Sequence, residues 1–416
     1  MPKRTRLQIA GALVAGFTLI AAPLTRADVR VWTDKESKVL KGDLKGLEIL
    51  PSGASGQSQT APKSTPSKPA LDKPASPDSG SKSAKKKRKK GKKGKKGKKG
   101  ESSNSGGPKT IRVGKGEEFE YPSQAAKAAN NGDTIEIKAG VYVDCANWKK
   151  NNLTIRGVGG RAHVKDEICN GKGIWNIGGE NTTIENIEFS GMKNKSKNGS
   201  GIRMQGISLT VRNSYFHDGE QGILGGRKPG NVILIEDSEF ANLGKAGRAH
   251  PIYINKAESF TLRRSYIHGC VDEGNCLKTR AKHSVVTCNV IASMDSDSSW
   301  EVDFPNGGLV EVRNNVIQQG ANSANSNIVG FAKETQKPNK RNSTQKFIFE
   351  NNIVINDKGK GKFITVKKRD NTETIIKGNK FIGSGKLEYE EGNKRIRNRS
   401  AAGLKDYPAL PAACAK

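Results

Sequence analysis

The sequence predicts an all-β fold, a single-stranded right-handed parallel β-helix (a solenoid) with a short N-terminal capping helix. Three observations carry that prediction. A β-branched triplet, then a small or amide residue, then an aromatic or aliphatic pair recurs along residues 153–385. Aligning Thr183, Thr210, Ile233, Thr261, Val286 and Glu311 gives steps of 27, 23, 28, 25 and 25 residues, and such periods are the mark of solenoids. No segment of helical period separates the strands, which excludes βαβ crossovers.

The 416-residue chain does not commit all of its length to that domain. Met1–Ala27 reads as a secretory signal peptide. Lys3, Arg4 and Arg6 precede the uncharged apolar run Leu7–Leu24, and Thr25-Arg26-Ala27 offers the small residues a signal peptidase reads. Residues 28–107 read as a disordered linker, because Pro51–Ser83 is rich in Pro, Ser, Lys and Ala and buries too little apolar surface to offset its ordering entropy. Its Lys85–Gly100 run carries twelve positive charges in sixteen residues, out of a formal net charge of +31. A run of this kind binds polyanions through counterion release or serves as a solvated spacer. With export expected, the polyanion is extracellular and no specific nucleic acid partner is expected. No second apolar stretch is long enough to span a bilayer. The predicted locale is periplasmic or secreted.

The β-helix is expected over residues 108–390, followed by a tail, 391–416. Thr110–Val113 opens it as a strand, Ser123–Ala129 follows as the capping helix with Ser123 as its cap, and Thr134–Lys138 alternates as the next strand. From residue 153 the repeats take over, for example TTIENIEFSG (182–191), SLTVRNSYFHDG (208–219), SFTLRRSYIHGC (259–270) and LVEVRNNVIQQG (309–320). Their strands are too short to stand alone, and their turns hold Gly, Asn and Asp, which tolerate left-handed backbone. Stacked coils bury the inward side chains and pair every backbone group. Asn186, Asn213, Asp237, Asn289, Asn314, Asn351 and Asn379 suit a stacked amide ladder at one bend. No heptad segment marks a trimer, and a monomer is expected.

These features resemble the pectate-lyase-like superfamily of right-handed parallel β-helix proteins, which includes polysaccharide lyases and the alginate epimerase. EFEYPSQAAKAANNGDTIEIKAGVYVD (118–144) is similar to that group's capping helix and first coil. HPIYI, SYIHG, CLKTRA and EVDFPNGGLVEVRNNVIQQG resemble stretches of an exported subgroup of β-helix proteins. The vWiDH stretch of true pectate lyases is missing, so their calcium-dependent chemistry does not carry over. What the resemblance implies is a fold, and a fold hosts many functions.

The candidate site comes from the residues themselves. At their own 25-residue step, Ile252-Tyr253-Ile254, Leu277-Lys278-Thr279 and Val302-Asp303-Phe304 come into register. Strand side chains alternate, so with the apolar flanks inward Tyr253, Lys278 and Asp303 form an outward file at about 4.8 Å per coil. Asn255, Arg280 and Glu301 are expected beside it, His250 and His268 in adjoining turns, and Trp300 at the rim where a sugar could stack. Such a mixture suits a uronate: cations pair its carboxylate, and Lys278, Tyr253 or a histidine moves the C5 proton of a lyase or epimerase. The same residues allow two other readings. One is a glycoside hydrolase working through Asp303 and Glu301. The other is a non-catalytic glycan-binding or envelope protein held by its basic segment. Lys278 over Asp303 is also what an ordinary cross-strand ion pair looks like, and His217 shares the turn position of His268, which suits a repeat-encoded structural role for both.

No EF-hand loop or paired metal-binding histidine spacing occurs, and no metal ligand set is assigned. Calcium is the one cofactor with suitable oxygen ligands nearby, in Asp272, Glu273, Asp295, Asp297 and Asp303. Six cysteines fit an oxidising compartment. Cys145 and Cys169, 24 residues apart, would stack on successive coils, and Cys270 and Cys276 bracket one loop. The spacing leaves the other pairings open.

Overall fold

The computed structural model describes residues 107–414 except Arg369, Asp370 and Pro408, together with the backbone of two earlier strands. Those strands, Asp28–Trp32 and Ser37–Lys41, pair antiparallel within the first of two compact units. The signal peptide and the basic run at 85–100 lie outside the described residues.

The second unit is a parallel β-solenoid of about ten turns with very little helix. A representative coil contributes three strands, Ser259–Arg263, Tyr266–Cys270 and Leu277–Thr279, one to each of three walls. Each pairs in parallel with its counterpart one coil on: His283–Thr287, Val290–Ala292 and Val302–Phe304. The third wall is a nine-stranded sheet that begins at Ala146–Trp148 and ends at Lys362–Val366. The interior is filled by apolar side chains stacked from coil to coil, as in the column of Phe189, Phe216 and Phe240 at 4.9 and 4.8 Å between ring centres.

The capping helix runs Pro122–Ala128, one residue earlier than expected. Tyr121, not Ser123, is its N-cap, and Pro122 takes the first helical position, where its missing N–H costs nothing. The Gln124 carboxamide accepts the N–H groups of Glu120 and Tyr121, and Asp144 accepts that of Ser123 at 2.7 Å.

Two details of the repeat are corrected. Thr210 pairs with Leu234 rather than Ile233, and Thr261 with Val285 rather than Val286. A one-residue slip exchanges the two faces of a strand, and here Ile233 and Val286 are the core residues. The expected amide ladder is two files. Asn186, Asn213, Asp237, Asn314 and Asn351 hold the left-handed bend between walls one and two, with φ of 57°, 44°, 50°, 57° and 57°. Asn289 and Asn379 belong one residue later, in a buried file whose carboxamides bond in series: Asn289 to Asn315 (2.9 Å), Asn315 to Asn352 (3.0 Å), Asn352 to Asn379 (3.0 Å) and Asn379 to Asn393 (2.8 Å). Below Asn289 serines continue the file, with Ser265 and Ser238 hydroxyls accepting N–H groups from the coil beneath.

The last residues stack on as well. Lys394–Ile396 pairs with Lys380–Gly383, Arg399 clamps Asp357 through two 2.7 Å bonds, and Cys414 is joined to Cys288. Cys145–Cys169 and Cys270–Cys276 are the other disulfides, with Cα separations of 5.4 and 5.3 Å. Among the described residues no helix is long and apolar enough to cross a membrane.

Candidate functional site

On the third wall Tyr253 pairs with Lys278, and Lys278 with Asp303. Their neighbours Ile252, Ile254, Leu277, Val302 and Phe304 sit in the core, so alternation turns the three side chains outward. Gly330 is next in the file, with Leu224 and then Arg203 below Tyr253.

The three do not share one environment. Lys278 is half-buried with its ammonium 5.6 Å from the Tyr253 ring centre, and no carboxylate among the described residues pairs with it. Arg280 donates from Nε to the Tyr253 hydroxyl (3.0 Å), from Nη1 to Asn306 (2.5 Å) and in a fork to both oxygens of Glu334 (2.9 and 3.1 Å). The guanidinium expected to grip a substrate carboxylate is therefore already occupied, and it orients the tyrosine instead. Asp303 faces outward but is roofed over, 2% exposed. It accepts from Asn275 at 3.1 Å, and the Lys333 ammonium lies 3.3 Å away. Burial raises its pKa and depresses that of Lys333 despite their attraction.

The roof is an insertion. Successive members of the inner asparagine file are 26 residues apart from Asn289 to Asn315 but 37 from Asn315 to Asn352. The extra chain after Phe331 folds back over the site. It supplies Lys333 and Glu334, accepts the Lys256 ammonium on the Asn339 carbonyl (2.6 Å), and anchors Asn342 to Ala281 and Gly307 carbonyls. Neither Lys333 nor Glu334 was singled out from the sequence, although the lengthened step between LVEVR and KFIFE was visible there. Gly330 makes room for this roof: a Cβ there would lie 2.6 Å from the Lys333 side chain and 3.0 Å from Trp300.

Other expected site residues are redistributed. Trp300 carries the Lys333 ammonium 3.3 Å from its ring centre, so that face is not open to a sugar. Glu301 is not on the outer face. The strand starts at Val302, and alternation does not extend back into the turn, which folds Glu301 inside against Ser298 at 3.1 Å and near Ser323 and Gln319. Burial there pushes its pKa up to about 8. His250 is beneath the site, its ring edge-on to Tyr253 at 5.4 Å and its Nδ1 accepting the Asn275 N–H at 2.9 Å. Burial, then the charges of Lys278 and Arg280, lower its pKa to about 3 and keep it neutral. His268 is on the second wall, bonded to Glu239 and stacked on Tyr266, away from the Tyr253 file. The oxygen ligands considered for calcium do not converge. Asp272 pairs with Lys245 (2.6 Å), Asp297 accepts the Asp272 N–H, and Asp303 has Lys333.

Asn255 lines a cavity of about 300 Å³ with Arg227, Lys256 and Arg280. Arg203, two strands below Tyr253, has a buried Nε without a hydrogen-bond partner, and burial and the Arg227 charge hold its pKa below the usual arginine range. The outer third wall is thus a run of cations, from Arg203 through Arg227, Lys256 and Lys278 to Lys333. The two carboxylates whose charge Lys278 feels, Asp303 and Glu334, are both already paired with other cations.

The fold has counterparts among solved structures. An alginate lyase from Paenibacillus sp. str. FPU-7 is 16% identical, with a TM-score of 0.52, over 69% of this chain and 99% of its own. Weaker similarity reaches the pectin methylesterase from Erwinia chrysanthemi (12% identity, TM-score 0.37, 72% and 98% coverage). It also reaches a tailspike of Acinetobacter baumannii bacteriophage Fri1, a capsular polysaccharide depolymerase (12%, 0.38, 73% and 65%). No protein-family model and no curated protein sequence matches the chain. What the comparison shows is the fold, a parallel β-solenoid shared with the alginate lyase.

Proposed function

We propose that this is an exported β-helix protein that takes an acidic polysaccharide along its third wall and processes uronate residues there as a lyase or epimerase. The observation that carries the reading is Lys278, a cation with no carboxylate within ion-pair distance among the described residues, beside a tyrosine whose hydroxyl is held by an arginine. In an ordinary salt-bridge ladder Lys278 would pair with Asp303, but Lys333 has taken that partner. Lys278 and Arg227 are then the groups left to neutralise uronate carboxylates, which acidifies the C5 proton. Arg280 aims an N–H at the Tyr253 oxygen and supports negative charge on it. With Tyr253 acting as the phenolate, its Oη takes the C5 proton, the C–H electrons form the C4–C5 double bond, and the C4–O4 bond breaks. The departing oxygen recovers the proton from the tyrosine. Returning the proton to the opposite face of C5 would give epimerisation. The similarity to the alginate lyase supports the fold of this reading, not its chemistry.

Hydrolysis by a carboxylate pair finds no support, because Glu301 is interior and Asp303 is roofed. Binding without chemistry is favoured by one fact, that Arg280 is already saturated by Glu334. Three disulfides accord with an oxidising compartment, and the basic run at 85–100 would tether the protein to the same polyanions.

The test incubates the full mature chain with alginate, polygalacturonate and hyaluronan, following absorbance near 235 nm and NMR of the sugar ring protons. Unsaturated or epimerised product from at least one polymer, lost in Tyr253→Phe, is the expected result. Retention on a polymer without product leaves the binding role alone, and no product and no retention on any uronate polymer overturns the proposal.

A further inference from the structure

A second cluster of chemistry-bearing groups stands on a different wall. His163, Glu188 and His217 come from successive coils, and one ligand atom from each lies within 4.8 Å of the others. Glu188 Oε1 is at the centre, 3.3 Å from His163 Nδ1 and 3.1 Å from His217 Nε2. In a tetrahedral shell with bonds of about 2.0–2.1 Å the ligand atoms stand roughly 3.3 Å apart, so these spacings are those of a coordination edge.

The far ring nitrogens of both histidines are held as well. His163 Nε2 lies 2.7 Å from the Ser190 hydroxyl, and His217 Nδ1 lies 2.7 Å from Asp218 Oδ2. Metal-binding histidines are held in this way, with the far ring nitrogen bonded to an oxygen so that the near one is presented to the ion. Tyr215 stacks on His217 at 4.2 Å and fixes the ring plane. The cluster is only partly covered, with side-chain exposures of 20%, 24% and 15%, so an ion can enter and keep positions for water or another oxygen ligand.

The molecule contains its own control. Tyr266, His268 and Glu239 repeat the geometry of Tyr215, His217 and Glu188 higher on the same wall, with the same 4.2 Å stack and a 3.0 Å His268–Glu239 contact. There the position beneath the glutamate is Tyr215, whereas beneath Glu188 it is His163. The upper copy therefore lacks the third ligand.

We infer that His163, Glu188 and His217 form a site for a divalent transition-metal cation of the zinc class, with two imidazoles, one carboxylate and open coordination positions. All six cysteines are in disulfides and do not compete for the ion.

The probe is Zn²⁺ alone, titrated into the metal-stripped full chain by calorimetry at an ionic strength that screens the basic segment. Crystals soaked in zinc are measured at the zinc absorption edge. Expected are one equivalent of tight binding, an anomalous peak between the three side chains, and at least a tenfold loss of affinity in His163→Gln with none in His268→Gln. Absence of a peak at Glu188, or equal affinity in His163→Gln and the parent chain, overturns the site. If His163→Gln does not fold, the peak position in the unaltered protein decides.

Discussion

The first and third walls both stack charged residues one per coil, yet they solve opposite problems. On the first wall Glu236 is nearly covered and receives Arg212 (2.5 Å), Arg263 (2.5 Å) and Arg264 (2.8 Å). Although burial alone would raise its pKa, the three guanidiniums bring it down to about 2. On the third wall Lys278 has a tyrosine ring and, among the described residues, no carboxylate within ion-pair distance. A solenoid that brackets Glu236 with three cations on one wall and leaves Lys278 outside ion-pair distance of a carboxylate on another has, under the proposed function, a brace on the first and a receptor on the third. Charge stacking is thus not itself a functional signal. The informative feature is which stacked charge lacks a partner after the loops are in place.

The comparison predicts opposite phenotypes. The largest effect is expected in Lys278→Gln, where loss of the carboxylate counter-charge lowers turnover of a uronate polymer by about 10²–10³-fold with little change in Tm. A large fall in Tm instead would make Lys278 a brace. Glu236→Gln should do the reverse, costing about 2–3 kcal/mol of stability through its charged hydrogen bonds and leaving turnover intact, as read from denaturant midpoints and product formation.

Two buried glutamates sharpen the contrast through pH. Glu236 has its folded pKa depressed, so its stabilisation is present above the ordinary value of 4.5 and drains away as pH falls toward about 2. Glu301 sits among hydroxyls with no cation, and its pKa is raised to about 8. The folded state then holds an extra proton between 4.5 and about 8, and stability falls as pH rises through that window. Glu301→Gln should flatten the neutral limb of a Tm–pH curve, and Glu236→Gln the acid limb. If both variants keep the parent curve, the assigned ionisation states are wrong. The smallest effect belongs to Gly330→Ala. Its Cβ meets the far end of the Lys333 side chain, which can shift, so a loss of about 1 kcal/mol, the low end for an added methyl group, is expected. Crystallography of the variant should show Lys333 lifted from Trp300 and Asp303 uncovered.

The repeat made most of the fold legible. Residues 182–385 carry their pattern on every coil, and a parallel solenoid needs only local periodicity plus turns that accept left-handed backbone. The register of Tyr253, Lys278 and Asp303 followed from that pattern because all three strands are the same length and in phase. Glu301 was misplaced because alternation was carried one residue beyond the strand. His268 was misplaced because it sits on a strand rather than in a turn, and the repeat puts that strand on another wall.

The sequence by itself determined the coils, the inward and outward faces and the residues stacked along each wall, since these depend on spacing along the chain. Tertiary structure alone decided which outward charges are satisfied. That depends on where an irregular insertion lands, and Lys333 and Glu334 reach Asp303 and Arg280 through space, outside any period. The same holds for His163, Glu188 and His217, which no motif links and which only the stacking of three coils brings to within ligand distance of one another.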